Sequence, residues 1–238
     1  MPLSPEQEWT LAACGLVAHA DEILEVDEWD RVLWMLDDRI AGDDATEWTE
    51  LLADADRLRQ HLDTLAPPPP LFSEEILEKA WRMALADGEG SEQEARVHDE
   101  LARRLGVPAE EVAGLRARWL EQAQRRSELV AGFAAIVANL DGRLDPSEAA
   151  ELDALLDRLP VADGRRPALE AMRDEPPALD EIVGALLGSD AEERRIALWA
   201  IVPLVRASAR GERERALFLD VASRLAISDA EAERMLDR

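Results

Sequence analysis

Apolar residues recur at three- and four-residue intervals along most of this chain, which is the period of an α-helix with one buried face. Ser4-Pro5-Glu6-Gln7 reads as a capping box with proline in the first turn. The helix it opens is expected to run to about Ala20, with Trp9, Ala13, Leu16, Val17 and Ala20 inward. A second helix carries Trp29, Val32, Leu33, Leu36 and Ile40 and ends at Gly42-Asp43-Asp44. A third is expected as one piece from about Thr46, with Trp48, Leu51, Leu52, Leu58, Leu62 and Leu65. Ala66-Pro67-Pro68-Pro69-Pro70 then forbids helix and favours extended polyproline geometry. Ser73 is expected to cap the next helix, whose inward positions are Ile76, Leu77, Ala80, Trp81, Ala84 and Leu85. Ser91-Glu92-Gln93-Glu94 is a second capping box, and its helix carries Val97, Leu101 and Leu105 before Gly106-Val107-Pro108 stops it. The helix from Ala109 bears Val112, Leu115, Trp119 and Leu120 and runs into Arg126 without a breaker.

The pattern restarts at Leu129. A helix to Leu140 is followed by Asp145-Pro146-Ser147-Glu148, a capping box, and an inward stripe of Leu152, Leu155, Leu156 and Leu159. Residues 160–177 read as irregular with one short helix, and 178–187 as helix. Ser189-Asp190-Ala191-Glu192 opens a long apolar helix over 196–207 that Pro203 is expected to interrupt. Leu217, Val221 and Leu225 belong to a further helix, and Ser228-Asp229-Ala230-Glu231 opens the last. With no Tyr, three Phe and many Ala, Leu, Glu and Arg, the fold class is all-α.

Short acidic turns join these helices. Asp87 in Ala86-Asp87-Gly88-Glu89-Gly90 is followed seven positions later by Glu94, and Asp141 in Leu140-Asp141-Gly142 by Glu148. Asp21 is followed by Glu28 in a looser copy, with Glu22 where the others have glycine. A fourth, eroded copy precedes Glu214, with Arg210 in place of the aspartate. A shift of 66 relates Asp21 to Asp87 and Glu28 to Glu94. A shift of 120 relates Asp21 to Asp141, Glu28 to Glu148, Glu94 to Glu214 and Leu105 to Leu225. Two tandem domains are expected, 1–126 and 127–238, each with two acidic-turn helical hairpins. The proline run at 66–70 is then a connector inside the first domain.

The formal net charge of −25 disfavours direct contact with nucleic-acid phosphates or anionic membranes and suits cationic partners. Arg116, Arg118, Arg125 and Arg126 lie among Glu110, Glu111 and Glu121 and read as a solvated helix face. No apolar run is long enough to span a bilayer. The opening residues lack the basic and apolar regions of a signal peptide, so a soluble, cytoplasmic protein is expected. A lone cysteine, Cys14, in an apolar stretch is expected to be an inert core thiol. His19 beside the first turn is expected to be a satisfied polar group, and His61 and His98 are expected at the surface. The seven tryptophans are expected in the core, except that Trp34 and the Leu71-Phe72 neighbourhood are candidates for an exposed interaction patch. No Ser-His-Asp or Cys-His pairing and no phosphate loop is present, so no catalytic residue is assigned.

Helices with an Ala-Asp-Gly turn, a glutamate seven positions after the aspartate, and an ending in Leu-Gly-Val resemble the tellurite-resistance TerB family. Ala84 to Gly88, Glu94 and Leu105-Gly106-Val107 carry the likeness best. The resemblance extends over nearly the whole chain as two copies. It implies a helical domain whose two acidic turns meet on one side. It also implies a non-enzymatic role in stress response, metal-ion handling, membrane-associated assemblies or defence. The candidate ligands are Asp21, Glu25, Glu28, Asp87, Glu89 and Glu94 in the first domain and Asp141 and Glu148 in the second. Carboxylates suit Ca²⁺ or Mg²⁺. No turn is a complete EF-hand, because Met83 and Leu85, or Val137 and Asn139, occupy the early ligand positions. Two readings stay open: a cation or basic protein partner held by the turns, or glutamates that only cap helices.

Overall fold

The computed structural model describes residues 3–20, 43–85, 90–140, 142, 146–207 and 211–237. Every regular element among them is helical: twelve α-helices and one 3₁₀ turn. The chain divides into two compact units, Met1–Ala123 and Gln124–Arg238.

In the first unit α1 (Pro5–Ala18) is the central element. Ser4 caps it as expected, its Oγ accepting from the Gln7 N–H while Gln7 Oε1 accepts from the Ser4 N–H. Nine of its residues are buried, Trp9 and an unbroken run from Leu11 to Ala18. The helix is therefore enclosed on nearly every side rather than amphipathic. Small residues make this possible. A Cβ on Gly15 would lie 2.6 Å from Leu52 Cδ2 and 2.7 Å from Leu58 Cδ2. Packed around α1 are α3 (Ala55–Thr64), α4 (Ser73–Ala84) and α5 (Glu92–Arg104), with α2 (Asp43–Leu52) lying on α3. Cys14 is fully buried among them, and burial pushes its thiol up to about 12, so it stays protonated and inert.

Two local expectations are corrected here. The single helix from Thr46 to Leu65 is two helices, because Asp54 Oδ1 accepts from the Asp56 and Arg57 N–H groups and starts α3 afresh. Ser73 does not cap α4; its Oγ donates to the Leu105 carbonyl, and the preceding 3₁₀ turn Pro70–Phe72 leads into the helix instead.

The long α6 (Ala109–Ala138) contributes Val112, Leu115 and Trp119 to the core of the first unit and Val130 to Ala138 to that of the second. The second unit continues with α7 (Pro146–Arg158), the short α8 (Arg166–Ala171), α9 (Leu179–Leu187), α10 (Ala191–Ala207), α11 (Glu212–Arg224) and α12 (Asp229–Asp237). Asp190 caps α10, its Oδ1 accepting from the Glu193 N–H at 2.8 Å. Pro203 does not interrupt α10. The proline sits on the exposed side of the helix, so the Trp199 carbonyl that loses its donor is on the side open to solvent.

Hydrogen bonds at helix ends recur at an offset of 120. The His19 N–H donates to Gly15 and the Asn139 N–H to Ala135; the Ala20 N–H donates to Val17 and the Leu140 N–H to Val137. After α5 the Gly106 and Val107 N–H groups donate to Arg103 and Ala102, a Schellman stop with Gly106 at φ +74°. After α11 the Ala226 and Ile227 N–H groups donate to Ser223 and Ala222 in the same way. There the left-handed residue is alanine, at φ +61°. An L-residue in this region is strained by about 1–2 kcal/mol. Ala226→Gly is therefore expected to stabilise the second unit by about 1 kcal/mol, read as a raised urea midpoint. A lowered midpoint would show that the alanine is not strained.

Candidate acidic-turn site

Three helices begin at acidic turns and share one buried stripe. In α5 it is Glu94, His98, Leu101 and Leu105; in α7, Glu148, Leu152, Leu155 and Leu159; in α11, Glu214, Phe218, Val221 and Leu225. The spacing i, i+4, i+7, i+11 is that of one helix face. Each stripe opens with a glutamate in the first turn. Glu94, Glu148 and Glu214 are 3 %, 5 % and 4 % exposed, although glutamate is rarely buried unless paired.

What holds each carboxylate differs. Glu94 Oε2 accepts the Ser91 N–H at 2.5 Å while Ser91 Oγ accepts the Glu94 N–H at 3.2 Å, so the expected capping box is formed. It also places negative charge at the positive end of α5. At the equivalent of Ser91 the fourth turn has Gly211, with φ +19° and ψ −18° rather than an extended cap, and no side chain to accept a hydrogen bond. Glu214 Oε2 is buried with no hydrogen-bond partner. Gly142 of the third turn has φ +74°, the left-handed conformation expected of an Asp-Gly turn.

Of the candidate ligands, Asp21, Glu25, Glu28, Asp87, Glu89 and Asp141 lie outside the described residues, as do Trp34 and the second expected helix. Among the described residues no group of three or more His, Cys, Asp or Glu side chains is arranged to hold a metal ion. The donors the turns offer are carboxylate oxygens, a set that fits hard cations. His19 is a satisfied polar group, its Nε2 lying 2.7 Å from the Leu52 carbonyl.

His98 is not a surface residue. It is fully buried, with Nε2 2.9 Å from the Leu77 carbonyl and its ring edge-on to Trp81 and Trp119. Nε2 must donate to that carbonyl, which leaves Nδ1 as an acceptor facing Arg116 Nη1 at 3.5 Å. Burial, opposed by the Leu77 hydrogen bond and joined by the Arg116 charge, lowers its pKa from 6.5 to about 4. The helical stripe could have revealed this: Glu94 and His98 complete the periodicity of Leu101 and Leu105. His61 is half-buried, set edge-on against Trp48, and its Nε2 has no partner. Trp199, expected inside, is 39 % exposed.

Three of the four arginines of α6 are paired rather than freely solvated. Arg116 donates to Asp99 Oδ1 at 2.6 Å and to the Ala95 carbonyl, with its guanidinium 5.2 Å above the Trp81 ring. Arg118 pairs with Glu74 and Arg126 with Glu193.

Residues 7–117 match the family model described as tellurite resistance protein TerB. The first unit is a TerB-family domain. The match takes in the acidic turn before Glu94, the capping box, and the Leu105-Gly106-Val107 stop of the TerB domain, the features on which the likeness was read. Comparison with curated proteins and with solved structures gives no match. Among the described residues, no helix of the TerB domain or of the second unit is long and apolar enough to cross a membrane.

Proposed function

We propose that the chain is a non-catalytic helical binding module, a TerB domain followed by a second, diverged copy, in which the acidic turns of the first unit hold a divalent cation. The observation that carries this reading is the buried glutamate that opens the same stripe in α5, α7 and α11. Removing carboxylates from water costs several kcal/mol unless positive charge or hydrogen bonds compensate. Glu94 already takes the Ser91 N–H, and a Ca²⁺ or Mg²⁺ ion bound by Asp21, Glu25, Glu28, Asp87, Glu89 and Glu94 adds positive charge to that hydrogen bond; Asp141 and Glu148 are the corresponding ligands of the second unit. The recurrence of helix-end hydrogen bonds at an offset of 120 supports the second copy. A cytoplasmic role in stress response or defence, as part of a protein assembly, goes with this reading.

The test is the thermal midpoint after EDTA and then with Ca²⁺, Mg²⁺, Mn²⁺ or Zn²⁺ added singly, for the parent chain and for Asp21→Asn/Asp87→Asn. A free cation at about 100 times its Kd stabilises the folded state by roughly 2.7 kcal/mol. A selective rise that the double variant loses is expected. An equal response in the variant, or no ion-specific response, removes the cation and leaves the glutamates as caps. A second reading, a metal-independent adaptor that meets a basic protein surface, is favoured by the exposed apolar side chains Leu187, Ile196 and Trp199 on α9 and α10.

A further inference from the structure

The tetraproline segment is ordered, anchored and outward-facing. Leu65 has φ −81° and ψ 134° and Pro69 has φ −51° and ψ 140°, both close to polyproline II. That helix has three residues per turn, so it presents three edges. Leu65 and Pro68 share one edge. Leu65 packs on the core of the first unit and Pro68 is buried, so this edge is docked on the domain. The other two edges are formed by Ala66 with Pro69 and by Pro67, with Pro70 following at the start of the 3₁₀ turn, and all four residues are exposed. Trp9, itself buried, pins the segment by donating its Nε1–H to the Ala66 carbonyl at 2.9 Å. The Phe72 N–H closes the other end on the Pro69 carbonyl. Immediately beyond, Leu71 is 76 % exposed, the highest value among the exposed large apolar side chains of the described residues.

Polyproline ligands bind aromatic-lined grooves through a preformed, low-entropy helix. A segment held in that conformation by its own domain has already lost the freedom that binding would otherwise remove. The surroundings are acidic. Between Gln60 and Glu78 the sequence has Asp63, Glu74, Glu75 and Glu78 and no lysine or arginine. Asp63, Glu74 and Glu75 remain more than half exposed despite pairing with Arg104, Arg118 and Lys79. Residues 1–123 as a whole hold 29 Asp and Glu against 11 Lys and Arg. We infer that residues 66–71 are a preformed ligand for a protein domain with an aromatic-lined polyproline groove and a basic rim. This rests on the chain's being a binding module, and not on the cation.

The probe is a panel of purified SH3, WW and EVH1 domains, some with basic and some with acidic rims, titrated with the full chain by calorimetry in EDTA. Saturable binding to a basic-rimmed member is expected, falling with added salt. Pro67→Ala/Pro70→Ala and Leu71→Ser are each expected to weaken it about tenfold, while Leu187→Ser, on the second unit, leaves it unchanged. Leu71→Ser carries the test if the proline variant is destabilised, because its side chain touches little; its thermal midpoint must match the parent. No saturable binding across the panel, or equal binding by the Leu71 variant, overturns the proposal. So does a self-associated chain that Leu71→Ser converts to monomer in sedimentation, which would assign this surface to a second copy. Because EDTA is present throughout, a negative result here leaves the cation experiment untouched, and the converse holds.

Discussion

Acidification from pH 7 to pH 4 is expected to weaken the first unit by roughly 3 kcal/mol through His98 alone. His98 has its pKa lowered to about 4 in the fold, against 6.5 for the ordinary side chain. Above pH 6.5 both folded and unfolded chains hold it neutral. Below that value the unfolded chain takes up a proton that the folded chain refuses until about pH 4, so stability is present above 6.5 and lost as the pH falls through this window. The geometry gives the refusal its cause. A proton on Nδ1 would meet the Arg116 guanidinium, and Nε2 is committed to the Leu77 carbonyl. Burial outweighs the two groups that favour the charged ring, the Leu77 carbonyl and Asp99, whose carboxylate Arg116 already occupies.

Carboxylates also titrate toward pH 4, so the measurement is a difference. Urea midpoints of the parent and of His98→Phe are compared at pH 7 and pH 5. Phenylalanine is chosen because Phe218 fills the corresponding stripe position of α11, fully buried. Six of the seven tryptophans lie within residues 1–123, so their fluorescence follows the first unit. The parent should lose about 2 kcal/mol more than the variant between these two pH values. A parallel loss in both proteins would remove His98 as the cause.

Trp9→Ala is expected to cost the first unit about 3–5 kcal/mol, a large part of the stability of an ordinary domain. The ring is 1 % exposed in the most enclosed helix of the unit, and it also holds the Ala66 carbonyl. Trp9→Phe separates the two contributions. It keeps most of the apolar volume and drops the hydrogen bond, and a cost of about 1–2 kcal/mol is expected. Denaturant midpoints followed by the remaining tryptophans provide the readout. A loss under 1 kcal/mol for Trp9→Ala would mean that α1 is not the centre of the first unit.

Periodicity identified α1, α4, α5 and α7, and the two ends of α6, because each has a local apolar repeat. The capping boxes at Ser4 and Ser91 depend on residues three apart and were equally readable. The break at Asp54 was not readable in this way. No glycine or proline marks it, and an aspartate in an apolar-periodic run serves as well on a helix face as at a cap. Of the candidate ligands, Glu94 and Glu148 were placed by the capping pattern, which gives no sign that both are buried; only the stripe that each opens carries one. A glutamate at the third helical position satisfies the capping pattern whether it faces water or the core.

The sequence by itself determined that this chain is helical, that its acidic turns recur at fixed offsets, and that its first part has TerB character. Those properties depend on residue type and spacing along one strand of chain. Only the tertiary structure decided which polar groups lie inside and which apolar groups lie outside. His98 is buried because Leu77, Trp81, Arg116 and Trp119 come to it from two other helices. Trp199 and Leu71 stay exposed although both are large and apolar. The same holds for the tetraproline segment. Its composition dictated an extended helix, but the Trp9 hydrogen bond and the burial of Pro68 chose which edges face solvent. Burial is a property of what packs against a residue from distant parts of the chain; a local stripe marks which face turns inward, and not what comes to cover it.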